Sequence, residues 1–261
     1  MDTSPRMTYI GGPTALIEIF GLRFLTDPTF DPPGNDYKNG PVTLSKIEGP
    51  AISQNSLGRI DAVLLSHDHH ADNLDNAGRA FLKTVPTVYT TIAGAEQLQG
   101  GAVGLAPWQS IDTPIADRVV RVIGTPARHG PSQADRGPVT GFVVSSGDSF
   151  ADSIYISGDT VWYEGIADVA RRYRVAIAVL FLGAAQVEQV GPWPLTMTAT
   201  DAVHAAKAFS SATIVPLHYS GWKHLRESRK DVDAAFAAAG LSHRLQWLQP
   251  GVPVHIPSRE I

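Results

Sequence analysis

The chain has 261 residues, which at ~150 residues per domain leaves room for one large α/β domain or two small ones. Hydrophobic residues make up 43% and the net charge is −4, which excludes both a disordered tail protein and the basic footprint of a nucleic-acid binder. There is no cysteine, so disulfides, thiolate metal sites and thiol nucleophiles are excluded together, and nine histidines remain as candidate ligands.

In chain order, Thr8–Ile10 is a short strand, and Ala15–Phe20 and Leu22–Thr26 are β-rich runs around a tight turn at Gly21, a hairpin pattern. Residues 28–60 read as an irregular excursion rich in Pro, Gly and Asp, long enough to be a lid. Ala62–Leu65 is short and wholly apolar, which suits a strand buried on both faces. A helix carrying Leu74, Ala77 and Phe81 on one face follows it. Thr87–Tyr89 and Val119–Ile123 read as strands, with a helix after Thr91 through Ala93–Leu98 between them. Gly141–Val144 and Ser153–Ile156 pair around the turn at 145–149. Val161–Tyr173 is helical, Val175–Phe181 is the most apolar strand, and Thr198 with Asp201 starts a helix through Phe209. Thr213–Pro216 is a strand, Asp231–Ala239 a helix and Leu245–Trp247 a late strand. No linker or repeat divides this pattern, which predicts a single α/β domain over residues 1–261.

No apolar run approaches the ~20 residues of a membrane span, and the opening ten residues carry no signal-peptide pattern. A soluble, cytoplasmic protein without nucleic-acid partners is expected, with homo-oligomerisation left open.

The sequence contains no nucleophile elbow, phosphate loop, dinucleotide fingerprint or H-E-x-x-H motif. Its chemistry gathers instead where strands end. His67, Asp68, His69, His70, Asp72 and Asn73 follow directly on the Ala62–Leu65 strand. If this segment is extended, Asp68, His70 and Asp72 share one side and His67 and His69 the other. Either set offers the nitrogen and oxygen ligands of a hydrolytic zinc, manganese or iron centre. A blander alternative makes Asp72 a helix cap and the histidines solvated. His129, Asp159 and His218 each follow another predicted strand; alone each is weak, but their joint order is specific.

That order resembles the metallo-β-lactamase superfamily, in its lactonase and N-acyl-phosphatidylethanolamine phospholipase-like branch. The resemblance covers nearly the whole chain: an opening hairpin leading to Asp27, the 66–73 segment in place of H-x-H-x-D-H, His129 as the third motif, Asp159 in Ser157-Gly158-Asp159-Thr160 as the bridging aspartate, and His218 as the last ligand. It implies a four-layer αββα sandwich, an α/β fold with a metal site at one edge of two sheets. Aligned without a gap, the motif becomes Asp68, His70 and Asp72; with one inserted residue it becomes His67 and His69 followed by Asp72. The ungapped register is preferred. In both, Asn73 stands in place of the second-site histidine, and Gly12 stands where the branch often carries a histidine.

The resemblance implies a metal-dependent hydrolase that uses an activated water on an ester, lactone, amide or phosphodiester of a small molecule. One or two divalent ions are implied, zinc first and manganese or iron as alternatives. His70, His129 and Asp68 (or His67 and His69) would hold the first ion, Asp72 and His218 the second, with Asp159 bridging and Asp72 also catalytic. A degenerate metal-binding member is one alternative, and an iron oxidoreductase on the same fold another. Trp162, Tyr163, Trp222 and Lys223 are candidate pocket walls, and His224 is a candidate neighbour of the pocket.

Overall fold

A computed structural model describes residues 4–257 apart from residues 117 and 148. Fifteen strands and five α-helices are found among these residues. β1 (Arg6–Gly11), β2 (Thr14–Ile19) and β3 (Leu22–Thr26) form the opening antiparallel meander. β6 (Ala62–Leu64), β7 (Val88–Thr90) and β8 (Ala102–Gly104) then add in parallel, and the late β15 (Pro253–His255) closes the other edge against β1. The order in this first sheet is β15-β1-β2-β3-β6-β7-β8.

The second sheet runs β14-β13-β12-β11-β10-β9. Its members are β9 (Ser110–Ile115), β10 (Arg118–Pro126), β11 (Thr140–Ser146), β12 (Ser149–Ile156), β13 (Ile177–Phe181) and β14 (Thr213–Leu217). β12, β13 and β14 are parallel, and β10 runs the same way because two antiparallel pairings separate it from β12.

Three apolar interfaces set the layers. Met7, Ile17, Phe24 and Leu64 of the first sheet pack with Val122, Phe142, Ile156 and Phe181 of the second. The outer face of the first sheet, through Leu16, Leu25 and Val63, covers Leu82 of α1 (Asn76–Leu82) and Leu98 of α2 (Ile92–Leu98). The outer face of the second, through Val143, Ala178 and Ile214, covers α3 (Glu164–Arg172), α4 (Ala199–Ala208) and α5 (Arg229–Ala238). The result is the expected αββα sandwich, with alternate residues of each strand serving two different interfaces.

Several local expectations need correction. The 28–60 excursion is not wholly irregular: β4 (Asp36–Asn39) and β5 (Val42–Ser45) make a separate antiparallel hairpin. The helix after the histidine segment starts at Asn76, because Asp75 and not Asp72 caps it, accepting from Gly78 N at 2.8 Å. The helix expected from Val161 starts at Glu164; Val161 N is committed to Arg128 O. Leu245–Trp247 forms no strand and joins β14 through a Leu245–Ile214 bridge, while β8, β9 and β15 are strands not expected from the sequence. Thr198 and Asp201 do form the reciprocal capping box at the start of α4.

Candidate metal centre

The carboxyl ends of β3, β6, β10, β12 and β14 open on the same edge of the sandwich, and each delivers one functional side chain or group there. Ligands commonly gather at this end of parallel strands, where turns leave the sheet. Asp27 follows β3, His67–Asn73 follow β6, His129 follows β10, Asp159 follows β12 and His218 follows β14.

The 67–73 segment is turned, not extended. The amides of Asn73 and Leu74 both donate to the His70 carbonyl, at 3.3 and 3.0 Å. The two-residue alternation assumed from sequence therefore does not apply, and His67 and His70, three apart, meet on one side. His67 Nε2 lies 2.9 Å from His70 Nδ1, which lies 3.2 Å from His129 Nε2. The ring nitrogens of these three residues all fall within 4.8 Å of one another. Two ligands at ~2.0–2.1 Å from a tetrahedral zinc stand about 3.3 Å apart, so the cluster is close to the spacing that an ion requires.

The protonation pattern suits a cation as well. His129 Nδ1 faces the Leu195 carbonyl at 2.9 Å. Only an N–H satisfies a carbonyl, so the Nε2 lone pair is left for the cluster. His67 Nδ1 is likewise engaged, 2.9 Å from Ser66 Oγ. Burial and the neighbouring imidazoles hold His67 well below its ordinary range and His70 down to about 3. Both are therefore neutral at neutral pH and have a lone pair to offer.

Carboxylates complete the edge. Asp159 Oδ2 is 3.5 Å from His129 Nε2, and Asp159 Oδ1 is 3.0 Å from His218 Nδ1. Asp72 Oδ2 is 2.9 Å from His224 Nε2 and 3.6 Å from His218 Nε2. Despite burial, His224 and His218 hold Asp72 well below the usual carboxylate range. Although burial works against it, Asp159 raises His218. Asp27 is pushed up to about 7 by burial, which Ser66 opposes by donating N–H and O–H bonds of 2.5 and 2.7 Å. Asn73 Nδ2 donates to Asp27 Oδ2 and Asp159 Oδ1, both at 3.2 Å.

The backbone is specialised to reach this arrangement. His218 lies at φ +53, a left-handed conformation that costs a non-glycine residue ~1–2 kcal/mol. Gly158 lies at φ +60, and a Cβ there would stand 2.7 Å from both Ser66 Cβ and the Thr140 carbonyl. The glycine of the Ser-Gly-Asp-Thr turn thus lets Asp159 approach the β6 end.

Asp72 Oδ1, Asp159 Oδ2, His218 Nε2, His224 Nδ1 and Asn73 Oδ1 are buried with no hydrogen-bond partner. Five such atoms in one cluster are a large penalty for a folded chain unless something polar fills it. The donor set, imidazole and carboxylate with one amide oxygen, fits a divalent ion.

Of the residues singled out from sequence, His70, His129, Asp72, Asp159, His218, the alternative His67 and Asn73 are brought together here. Asp68 is not: its Oδ1 is 4.0 Å from His69 Nδ1 and faces the start of α2 near Gly94. His69 Nε2 lies 2.9 Å from the Arg136 carbonyl, outside the cluster of three. A cavity of about 430 Å³ opens over the site, walled on one side by the β4–β5 hairpin through Tyr37, Val42 and Leu44 and on the other by Ala185, Val187 and Leu195. Trp162, Tyr163, Trp222 and Lys223 are not among its lining residues. Tyr163 packs under the Arg128 guanidinium, Trp222 is buried between Tyr37 and Lys46, and Lys223 is exposed. The hairpin wall gave no motif to find, because apolar lining looks like ordinary core in a sequence. Ser66 could have been noticed only as the residue bridging Asp27 and His67.

The Beta-lactamase superfamily domain model matches residues 22–219, a span that includes every strand end just described except the loop to His224. The chain belongs to the metallo-β-lactamase superfamily. A metal-dependent hydrolase of Natranaerobius thermophilus is 30% identical over 70% of this chain and 82% of its own length. One of Pyrobaculum neutrophilum is 24% identical over 94% and 97%. An isothiocyanate hydrolase from Delia radicum gut bacteria superposes with a TM-score of 0.82 at 22% identity, covering 96% of this chain and 99% of that one. The metallo-hydrolase Igni18 of Ignicoccus hospitalis gives 0.69 at 20% identity. These place the chain among the metal-dependent hydrolases of the superfamily and bear out the αββα fold. No helix among the described residues is long and apolar enough to cross a membrane.

Proposed function

We propose that the chain hydrolyses a small-molecule ester, lactone, amide or phosphodiester at a metal held by His67, His70 and His129. The observation that carries this is the convergence of three ring nitrogens within 4.8 Å under a cavity of about 430 Å³. Three imidazoles with a remaining open position are the ligand pattern of catalytic, not structural, zinc. When bound, such an ion polarises the substrate oxygen and makes water a nucleophile near neutral pH.

The protein groups divide the remaining work. His129 is held in its productive tautomer by Leu195, and His67 is oriented by Ser66. Asp159 lies beside the three imidazoles and supplies negative charge there. Asp72, kept ionised by His224 and His218, has Oδ1 unpartnered, and this atom accepts a hydrogen from the attacking water and orients it. Val42, Leu44, Val187 and Leu195 exclude bulk water and receive the apolar body of the substrate.

Elemental analysis of protein expressed with zinc, manganese or iron tests the reading. Bound metal is expected in the wild type and is expected to fall to background at the first site in His129→Ala and His70→Ala, with His69→Ala unchanged. Loss in His69→Ala with retention in His70→Ala would show the wrong ligand set. A panel of lactone, ester, amide and phosphodiester substrates then assigns the bond, and metal-loaded protein inert on all of them favours a binding role.

A further inference from the structure

We propose that His224 supplies the imidazole that Asn73 lacks, so that a second divalent cation is held by Asp72, His218 and His224 beside the His67–His70–His129 site. This rests on reading the latter as a metal site.

Asn73 occupies the position where the superfamily resemblance calls for a histidine; its amide nitrogen is spent as a donor to Asp27 and Asp159, which leaves an amide oxygen in place of an imidazole. The vacant role is reached from far along the chain. After His218 the backbone doubles back, pinned by Lys223 N donating to Ser45 O and by Gln186 N donating to His224 O. This presents His224 Nε2 2.9 Å from Asp72 Oδ2, while His218 Nε2 approaches the same oxygen from β14 at 3.6 Å. Two imidazoles from separate segments thus aim at one carboxylate oxygen, and all three side chains are buried.

Hydrogen bonding alone leaves the group unsatisfied. His218 Nε2, Asp72 Oδ1 and His224 Nδ1 have no partner. Asp72 and Asp159 are buried carboxylates, and buried charge without compensation is costly. A cation coordinated by the two imidazoles and Asp72 engages the unpartnered atoms, and these donors suit zinc, manganese and iron.

The test reads metal and needs no substrate. Purified protein is saturated with Zn²⁺, desalted and assayed for zinc per chain, and Co²⁺ is titrated by visible absorption. Two equivalents and two titration phases are expected for the wild type. His224→Ala and His224→Gln are expected to keep one equivalent, with the second phase weakened more than the 10–100-fold that loss of a merely orienting partner produces. Asn73→His in the His224→Ala background is expected to restore the second equivalent. Circular dichroism checks that each variant is folded. If His224→Gln binds two equivalents as tightly as the wild type, His224 only hydrogen-bonds Asp72 and the proposal fails. A single equivalent in the wild type also overturns it while leaving the three-histidine site standing; no metal in the wild type overturns both.

Discussion

Lys46 and Asp75 form an ion pair of 2.7 Å with both side chains buried. Asp75 also caps α1 and receives the amides of Phe30 and Asp31, at 2.9 and 2.7 Å. One carboxylate therefore fastens the β3–β4 connection, the hairpin and a helix start to one another, with Lys46 as its cationic partner. Removing one member of a buried pair strands the other and costs ~3–5 kcal/mol. Lys46→Met is expected to lower the free energy of unfolding by about that amount in urea titrations, although it adds no cavity. At this same scale the sequence was most informative about residue types and least about their partners. His129, Asp159 and His218 stand out because each follows an apolar run. The choice between His67, His69 and His70 was not legible, because it depends on a turn closed by the His70 carbonyl and not on any side chain.

Gly78 shows what an element hides from its own sequence. Judged as a helix residue it is a defect, and Gly→Ala should add up to ~1 kcal/mol of stability. In the sandwich, a Cβ at Gly78 would stand 1.8 Å from the Pro28 carbonyl oxygen, so α1 is seated directly on the chain leaving β3. Gly78→Ala is expected to destabilise by ~1–3 kcal/mol, the usual cost of overpacking, seen as a lower melting temperature. Strongly apolar strands such as β6, β13 and β14 were legible because burial on both faces leaves a continuous run. β8 and β9 were not, since they are short or half-exposed edge elements whose pairing partners, and not their own residues, make them strands. The β4–β5 hairpin was hidden by its turn-rich setting and by exposure of most of Asp36–Asn39.

For the whole molecule, the candidate centre joins the two sheets: His67 and His70 follow β6 in one, and His129 follows β10 in the other. Unfolding separates these groups, so any ion they hold binds the folded state preferentially. Zinc at 100 times its dissociation constant is expected to add about 2.7 kcal/mol of stability. Differential scanning calorimetry should show a concentration-dependent rise in melting temperature, reversed by chelator and smaller in a His70→Ala/His129→Ala variant, which keeps only the ligands Asp72, His218 and His224. A rise of equal size in that variant would locate the stabilising ion elsewhere. A single α/β domain was legible because strand-first and strand–helix blocks recur in order, and the four-layer arrangement followed from the resemblance that the ordered ligand residues carry. The cavity wall was not, because its residues are apolar and distant in sequence.

The span from Asp27 to His224 also orders events in time. During synthesis, the groups after β3 and β6 emerge long before the strands that carry Asp159 and His218, and the loop with His224 comes later still. A partly made chain can display its histidine-rich segment but cannot assemble the carboxylates and imidazoles around it. Any metal held there therefore reaches its final coordination only after translation is well into the last third of the chain, and a product truncated before β14 is a folding dead end for the site, however much of the first sheet it has formed.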